Sequence, residues 1–114
     1  MVMASNNTFL HEVGIRIMNR RKEMGLTQEG LAEKSDLTPQ FISYAETGQR
    51  AMRPENLMKL ANSLDVSTDY LLTGDIIDKD MLLISKKLKL LTPSQLRIVE
   101  KIIDSCIQLT NSEE

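Results

Sequence analysis

The chain is poor in the residues on which most enzymes and metal sites depend. Its 114 residues include one histidine, one cysteine and no tryptophan. A metal site built from imidazoles or thiolates needs several such ligands, and a lone cysteine allows no internal disulfide. The histidine, His11, stands near the start of the chain, and no glycine-rich phosphate loop or nucleophile motif accompanies it. The sequence therefore predicts a protein that is not an enzyme and needs no cofactor or metal.

Long apolar runs are missing as well. No stretch approaches the ~20 apolar residues that a membrane span requires. Residues 1–7 lack the basic and apolar regions of a signal peptide. The overall composition, 41% hydrophobic and 26% charged, is that of an ordinary globular chain. We expect a cytoplasmic protein with one compact domain and an appendage.

Two helix-start signals stand eleven residues apart, at Thr27 and Thr38. A threonine hydroxyl can accept from a backbone N–H that the first helical turn leaves unpaired, and Pro39 suits the first helical position because no N–H is needed there. Residues 35–37 make a turn between the two helices. Apolar residues at spacings that would face a common core are Leu31, Leu37 and Ile42. The pattern predicts a helix-turn-helix whose second helix keeps its N-terminal side chains outward.

The flanking sequence predicts an all-α protein with five helices in a first domain, residues 1–75, and a helical pair in residues 76–114. The first helix, from about Thr8 to Met24, has its apolar stripe at Leu10, Val13 and Ile17 and ends at Gly25. The fourth begins at Pro54, and the fifth runs from the cap Ser67 to Thr73-Gly74. A polar linker, Asp75 to Lys79, then leads to helices over Met81–Leu91 and Pro93–Leu109, with Thr92 and Gln95 as a capping box.

The last predicted helix has more apolar surface than one neighbour can cover. One stripe can pack on the preceding helix through Met81, Ile84, Leu88 and Leu91, and the other predicts contact with a second copy of the chain. We assign dimerisation to Leu96, Ile98, Val99, Ile102, Ile103 and Cys106. The alternative is that both stripes fold back on the first domain. In either arrangement Cys106 is expected to be a buried structural thiol.

Residues from about Gly14 to Gly74 resemble the Cro/phage-repressor (XRE) type of helix-turn-helix transcriptional regulator. The matching segments are Arg20–Gln28, Leu31–Lys34, Ile42–Ser43, Glu46–Gly48, Pro54–Leu57 and Val66–Gly74. Two positions depart from the family pattern: Asp36 replaces a turn glycine, and Gly30 replaces a helical glutamate. Aspartate tolerates a left-handed backbone better than most residues, and glycine costs roughly 1 kcal/mol against alanine within a helix. The fold should survive both departures.

The resemblance implies a repressor that binds a palindromic DNA operator as a homodimer. It implies that Gln28 donates to a phosphate and that Gln40 reaches a base edge, where a glutamine amide can pair with adenine N6 and N7. It also implies a structural ion pair between Arg21 and Glu46. The full predicted DNA-binding set is Gln28, Thr38, Pro39, Gln40, Ser43, Tyr44, Thr47, Gln49 and Arg50.

The charge distribution leaves other functions open. The net charge is −2, but a basic group, Arg16, Arg20, Arg21 and Lys22, lies on the first helix, and Arg50 and Arg53 follow the motif. This small number of clustered basic residues predicts modest, salt-dependent DNA affinity. One alternative is an antitoxin or antirepressor whose C-terminal helices bind a regulatory protein. The other is a protein-interaction module that no longer reads DNA, because residues 38–45 lack Lys and Arg and Phe41 would be exposed.

Overall fold

The computed structural model describes the backbone of residues 2–113 and the side chains of residues 8–109. This part of the chain is all-α, as predicted, and forms two compact units, Met1–Met81 and Leu82–Glu114. Its helices are α1 (Val2–Glu23), α2 (Gln28–Ser35), α3 (Pro39–Thr47), α4 (Pro54–Leu64), α5 (Thr68–Thr73), α6 (Asp78–Leu88) and α7 (Pro93–Glu113). No helix within these residues is long and apolar enough to cross a membrane.

Side-chain caps begin α2, α3 and α5 where the sequence predicts them. The hydroxyl of Thr27 accepts from the Gly30 N–H at 2.9 Å, and that of Thr38 accepts from the Phe41 N–H at 3.1 Å. Ser67 caps α5 in the same way. Each cap satisfies a donor that the first helical turn leaves unpaired, so helix boundaries are encoded locally.

The turn between α2 and α3 is made by Asp36. Its backbone has φ 58° and ψ 44°, in the left-handed region, and its N–H bonds back to the Glu33 carbonyl. Aspartate therefore takes the conformation that a glycine usually supplies at a helix C-terminus. The predicted departure from the family pattern leaves the turn intact.

The core of the first unit lies where α1, α2, α3, α4 and α5 meet. Its fully buried large side chains are Val13, Ile17, Leu31, Ile42, Leu60, Leu64 and Leu71. The predicted inward positions Leu37 and Leu57 pack around this cluster, and Phe41 does so too. Burial of a side chain of this size contributes roughly 1.5–3 kcal/mol, which makes these residues the main source of stability.

Two glycines allow α1 to meet the end of α3 through main-chain atoms. A Cβ at Gly14 would lie 2.5 Å from the Ala45 carbonyl oxygen, and one at Gly48 would lie 2.7 Å from the His11 backbone nitrogen. Gly48 also has φ +71°, which disfavours other residues. The close approach holds α3 against α1 without help from side chains on the outer face of α3.

We expect Gly14→Ala to lower the free energy of unfolding by roughly 1–3 kcal/mol or more, because the new methyl group collides with backbone rather than with a movable side chain. Gly30→Ala is the matched control. Its Cβ would meet only the Thr27 hydroxyl at 3.3 Å and the Leu26 side chain, so the higher helix propensity of alanine should leave stability equal or raised. Urea denaturation of both variants checks the pair, and equal losses would contradict the assigned contact.

Asp80 joins the start of α6 to the start of α5. Its carboxylate accepts from the Ser67 N–H at 2.7 Å, from the Ser67 hydroxyl at 2.8 Å and from the Ile77 N–H at 3.0 Å. The side chain is 4% exposed. A capping box normally pairs the N-cap N–H with an acid in the same helix. Here one acid serves the N-cap residues of two helices.

This contact explains two corrections to the predicted boundaries. The first compact unit extends to Met81 rather than to residue 75, since Asp80 belongs to its interior. The predicted linker Asp75–Lys79 and the helix Met81–Leu91 are also displaced, because the capped helix begins at Asp78 and ends at Leu88. In addition, α1 begins at Val2 instead of near Thr8.

The Asp80 network also sets a pH dependence. Burial by itself raises the pKa of a carboxyl group, but hydrogen bonds from the Ile77 and Ser67 backbone and the Ser67 hydroxyl, with the charge of Lys79, outweigh it and hold the pKa of Asp80 below its ordinary value. A carboxyl group whose pKa falls on folding stabilises the folded state above its unfolded pKa, about 3.9. That stabilisation is lost as the pH falls through the lower folded pKa.

Asp80→Asn should therefore cost roughly 1–3 kcal/mol at neutral pH. The difference in unfolding free energy between wild type and variant should shrink as the pH is lowered below about 4. Asp78→Asn, an exposed acid in the same helical turn, is the control and should change little. Chemical denaturation at several pH values measures this. A difference between wild type and Asp80→Asn that stays constant with pH would contradict the role of Asp80.

The second unit contains the rest of α6 and all of α7. The predicted capping box is present: Thr92 Oγ1 accepts from the Gln95 N–H at 3.2 Å, and Gln95 Oε1 accepts from the Thr92 N–H at 2.9 Å. Leu88 shares an apolar cleft of about 450 Å³ with Pro93, Leu96, Val99 and Ile103 of α7. Ile84 remains half exposed, so the predicted packing of the two helices is less extensive than expected.

Candidate nucleic-acid interface

Helix α3 has one buried face and one outward face. Ile42, Ala45 and Glu46 are buried against the other helices. The opposite side presents Thr38, Pro39 and Gln40 at its beginning, and Thr47, Gln49 and Arg50 at and beyond its end, all exposed. Ser43 and Tyr44 lie between them, half-buried. The predicted DNA-binding residues in and beside α3 are thus all at least partly exposed.

The predicted ion pair between Arg21 and Glu46 is present in the interior. Arg21 Nε donates to Glu46 Oε2 at 2.6 Å and Nη2 donates to Oε1 at 3.1 Å. Arg21 is 9% exposed and Glu46 5%. A third guanidinium nitrogen donates to the Leu26 carbonyl at 2.8 Å. Two parallel bonds and this additional acceptor satisfy the buried guanidinium, as a charge removed from water requires.

Gln28 is part of the same network. Its side-chain Nε2 donates to Glu46 Oε1 at 3.0 Å. The sequence predicts a phosphate contact for Gln28 but not this bond within the protein. Because an amide nitrogen carries two N–H groups, one can remain with Glu46 while the other points to a ligand. Gln28 therefore sits at the start of α2 with its side chain already oriented.

Gln40, Tyr44 and Arg50 form a second network on the outward face. Gln40 Nε2 donates to the Tyr44 hydroxyl oxygen at 2.9 Å. The Arg50 guanidinium carbon lies 4.7 Å from the centre of the Tyr44 ring, within the range of a cation–π interaction. The i,i+4 spacing of Gln40 and Tyr44 was visible in the sequence, and it places the two on one helix face.

Thr47 and the arginines of α1 make bonds that the sequence did not indicate. The Thr47 hydroxyl donates to the Ser43 carbonyl at 2.9 Å. Arg16 donates to the Leu71 carbonyl at 3.0 Å and Arg20 to the Leu64 carbonyl at 2.8 Å, near the ends of α5 and α4. These two arginines, part of the basic group that the sequence shows on the first helix, thus each direct at least one guanidinium nitrogen to a carbonyl within the first unit.

The comparisons with known proteins agree with this geometry. A family model described as "Helix-turn-helix" matches residues 17–71. The HTH-type transcriptional regulator YqaE of Bacillus subtilis is 42% identical over 60 residues, which make up 52% of this chain and 51% of that protein. The HTH-type transcriptional regulator y4dJ of Sinorhizobium fredii is 38% identical over 61 residues, 54% of this chain and 79% of the relative.

Among solved structures, the c2 repressor of Salmonella phage P22, crystallised with a synthetic operator, superposes with a TM-score of 0.54 at 36% identity. The match covers 55% of this chain and 96% of that one. The chain belongs to the Cro/phage-repressor type of helix-turn-helix family. The chain spans about half the length of curated relatives such as YqaE.

The apolar face of α7 lies outside the helix-turn-helix match. Of the predicted dimerisation residues, Leu96, Ile98, Ile102 and Ile103 are exposed, and Val99 is half-buried. Cys106 is also exposed, so the prediction of a buried thiol is wrong for the single chain. The stripes were read from periodicity, which places residues on one face of a helix without showing what covers that face.

We expect single substitutions of the buried pair, such as Arg21→Met or Glu46→Leu, each to cost about 3–5 kcal/mol, because each strands a buried charge. The double variant should recover a large part of that loss. Arg97→Met and Glu100→Leu are the matched control, since that pair is 3.5 Å apart with side chains 80% and 64% exposed. An exposed pair contributes about 0–1 kcal/mol. Thermal unfolding of both sets measures this, and additive losses at Arg21 and Glu46 would contradict a coupled pair.

Proposed function

We propose that the chain is a sequence-specific DNA-binding transcriptional regulator that represses by binding a palindromic operator as a homodimer. The observation that carries the proposal is the outward face of α3, which offers amide and hydroxyl groups from Gln40, Ser43 and Thr38. The opposite face of the helix is buried against the other helices of the first unit. The P22 c2 repressor, similar over the same helices, was crystallised with an operator. Such a protein acts where the chromosome lies, and we therefore assign it to the cytoplasm.

The geometry of the recognition helix suits the major groove, which admits one α-helix. Base edges would meet Thr38 and Gln40 at the start of the helix. Pro39, Ser43 and Tyr44 would flank these two residues. Phosphates would meet Gln28 at the start of α2, where the helix dipole is positive. After the recognition helix, the residues next to the DNA backbone would be Thr47, Gln49 and Arg50.

Two copies are needed because one recognition helix spans only a few base pairs. Half-sites about one helical turn apart, ~34 Å, require two helices related by a two-fold axis. In α7, apolar side chains that include Ile98, Ile102, Ile103 and Ile107 are about half exposed or more. A contiguous apolar surface of this kind usually marks an interface. We assign it to the second copy.

The same exposed face supports a second candidate function. A regulatory protein that offered an apolar helix could cover α7 in place of the second copy, as the antitoxin or antirepressor alternative requires. The interaction-module alternative has less support, because one of its two grounds, beside the absence of Lys and Arg from residues 38–45, was an exposed Phe41. That side chain is half-buried and packs against the core. Measuring the assembly state separates the homodimer from the partner complex.

The base-reading role of Gln40 and the phosphate-contact role of Arg50 can be tested separately with two variants. Gln40→Ala should cost roughly 1–3 kcal/mol at one base pair and relax the preference there. Arg50→Ala should weaken binding to all sequences alike and reduce the salt dependence by about one counterion. Fluorescence anisotropy with a selected duplex and its single-pair variants, at several salt concentrations, makes both measurements. An unchanged preference in Gln40→Ala would remove that residue from the reading role.

The dimer is tested with Ile102→Asp, which places a charge on the apolar face of α7. Ile102 is 56% exposed in the single chain, so the variant should fold, but the charge would be desolvated without a partner in a dimer. We expect a monomer in sedimentation at micromolar concentration and a loss of operator affinity of about 10²- to 10⁴-fold. Weak non-specific DNA binding should remain.

Gln108→Asp adds the same charge on the polar side of α7 and should leave the assembly unchanged. Persistence of the dimer in Ile102→Asp would move the interface away from this face. A monomeric wild-type chain would favour the partner-protein alternative.

A further inference from the structure

On the recognition helix, the Gln40–Tyr44 hydrogen bond bears on which base the protein prefers. Gln40 is exposed, and an exposed glutamine ordinarily samples many rotamers. Its amide nitrogen is nevertheless engaged with the Tyr44 hydroxyl at 2.9 Å, one helical turn away. The glutamine is therefore held in one arrangement before any ligand arrives.

Tyr44 is a suitable anchor because its own position is restricted. The ring is half-buried and lines a cleft of about 220 Å³ together with Phe41, Ala45 and Met52. The Arg50 guanidinium covers the ring at 4.7 Å. An aromatic side chain also has only two rotatable bonds, so holding it costs little entropy.

The direction of the hydrogen bond decides what Gln40 has left to offer. A glutamine amide carries two N–H donors and a carbonyl acceptor. With one N–H given to Tyr44, the remaining groups are one donor and one acceptor. Adenine presents an acceptor, N7, beside a donor, the N6 amino group, whereas guanine presents two acceptors, N7 and O6. The remaining pair of groups matches adenine, and it lacks the second donor that guanine requires.

We infer that Tyr44 is a positioning residue that restricts Gln40 to adenine and disfavours guanine at the same base pair. The inference rests on the proposed DNA-reading function and adds the residue that restricts Gln40 to adenine. Tyr44 acts here through Gln40 rather than by touching a base itself. The hydroxyl is the decisive group, and the ring only holds it in place.

Tyr44→Phe tests this, since it removes the hydroxyl and keeps the ring for Arg50. The probe is a duplex selected by the full wild-type chain from a randomised pool, with A·T and G·C variants at the pair whose preference changes in Gln40→Ala. Wild type should prefer A·T there. Tyr44→Phe should reduce the preference for A·T over G·C by roughly three- to tenfold, the size expected when one side chain loses its pre-organisation.

Two controls isolate the hydroxyl. Tyr70→Phe makes the same chemical change at the other tyrosine of the chain, in α5, and should leave the preference unchanged. In a Gln40→Ala background, Tyr44→Phe should have no further effect on it. An equal effect in that background would mean that Tyr44 contacts the base directly. A wild-type preference for G·C, or an unchanged ratio in Tyr44→Phe, would also overturn the inference.

A measurement without DNA distinguishes failure of the inference from failure of the proposed function. In the unbound full chain, the NMR signals of the Gln40 side-chain amide should show restricted motion that Tyr44→Phe releases. Gln40 that is equally mobile in both proteins would overturn the positioning role. Restricted motion in a wild type that shows no sequence preference on any duplex would overturn the proposed function instead.

Discussion

Arg21 and Glu46 meet in the interior of the first unit, where neither charge could remain without the other. Their two hydrogen bonds join α1 to the end of α3. Arg21 also binds the Leu26 carbonyl before α2, and Glu46 accepts from Gln28 at the start of α2. One ion pair therefore fixes α3 relative to α2, the two helices of the helix-turn-helix. Because a stranded buried charge is costly, alternative packings of these helices are disfavoured.

The elements that the sequence predicted are those with local causes. Thr27 and Thr38 mark helix starts because a cap needs only the residues of one turn, and the buried stripes of α1 and α4 follow from periodicity. The partners of Asp80 could not be predicted in this way, since Ser67 is thirteen residues distant and belongs to another helix. The carbonyls bound by Arg16 and Arg20 depend likewise on where α5 and α4 end in space.

The candidate interface likewise combines features that the sequence predicted with contacts that it did not predict. Residue types and the family resemblance indicated which side chains lie on the outward face of α3. The bonds among them depend on side-chain directions: Gln28 turns to Glu46, and Gln40 turns to Tyr44. In α7, periodicity identified the apolar residues correctly but predicted a buried Cys106. What covers a helix face is a property of its neighbours and not of the helix itself, so burial could not be read from spacing.

Main-chain contact at Gly14 and Gly48 bears on how such a regulator can change its operator. Since α1 meets α3 through backbone atoms, the axis of α3 does not depend on the side chains of its outward face. Under the proposed function, substitutions at Gln40, Ser43 or Tyr44 would exchange the base-reading groups while the helix keeps its place. A few surface replacements would suffice to give this scaffold a different target, as long as the two glycines are kept.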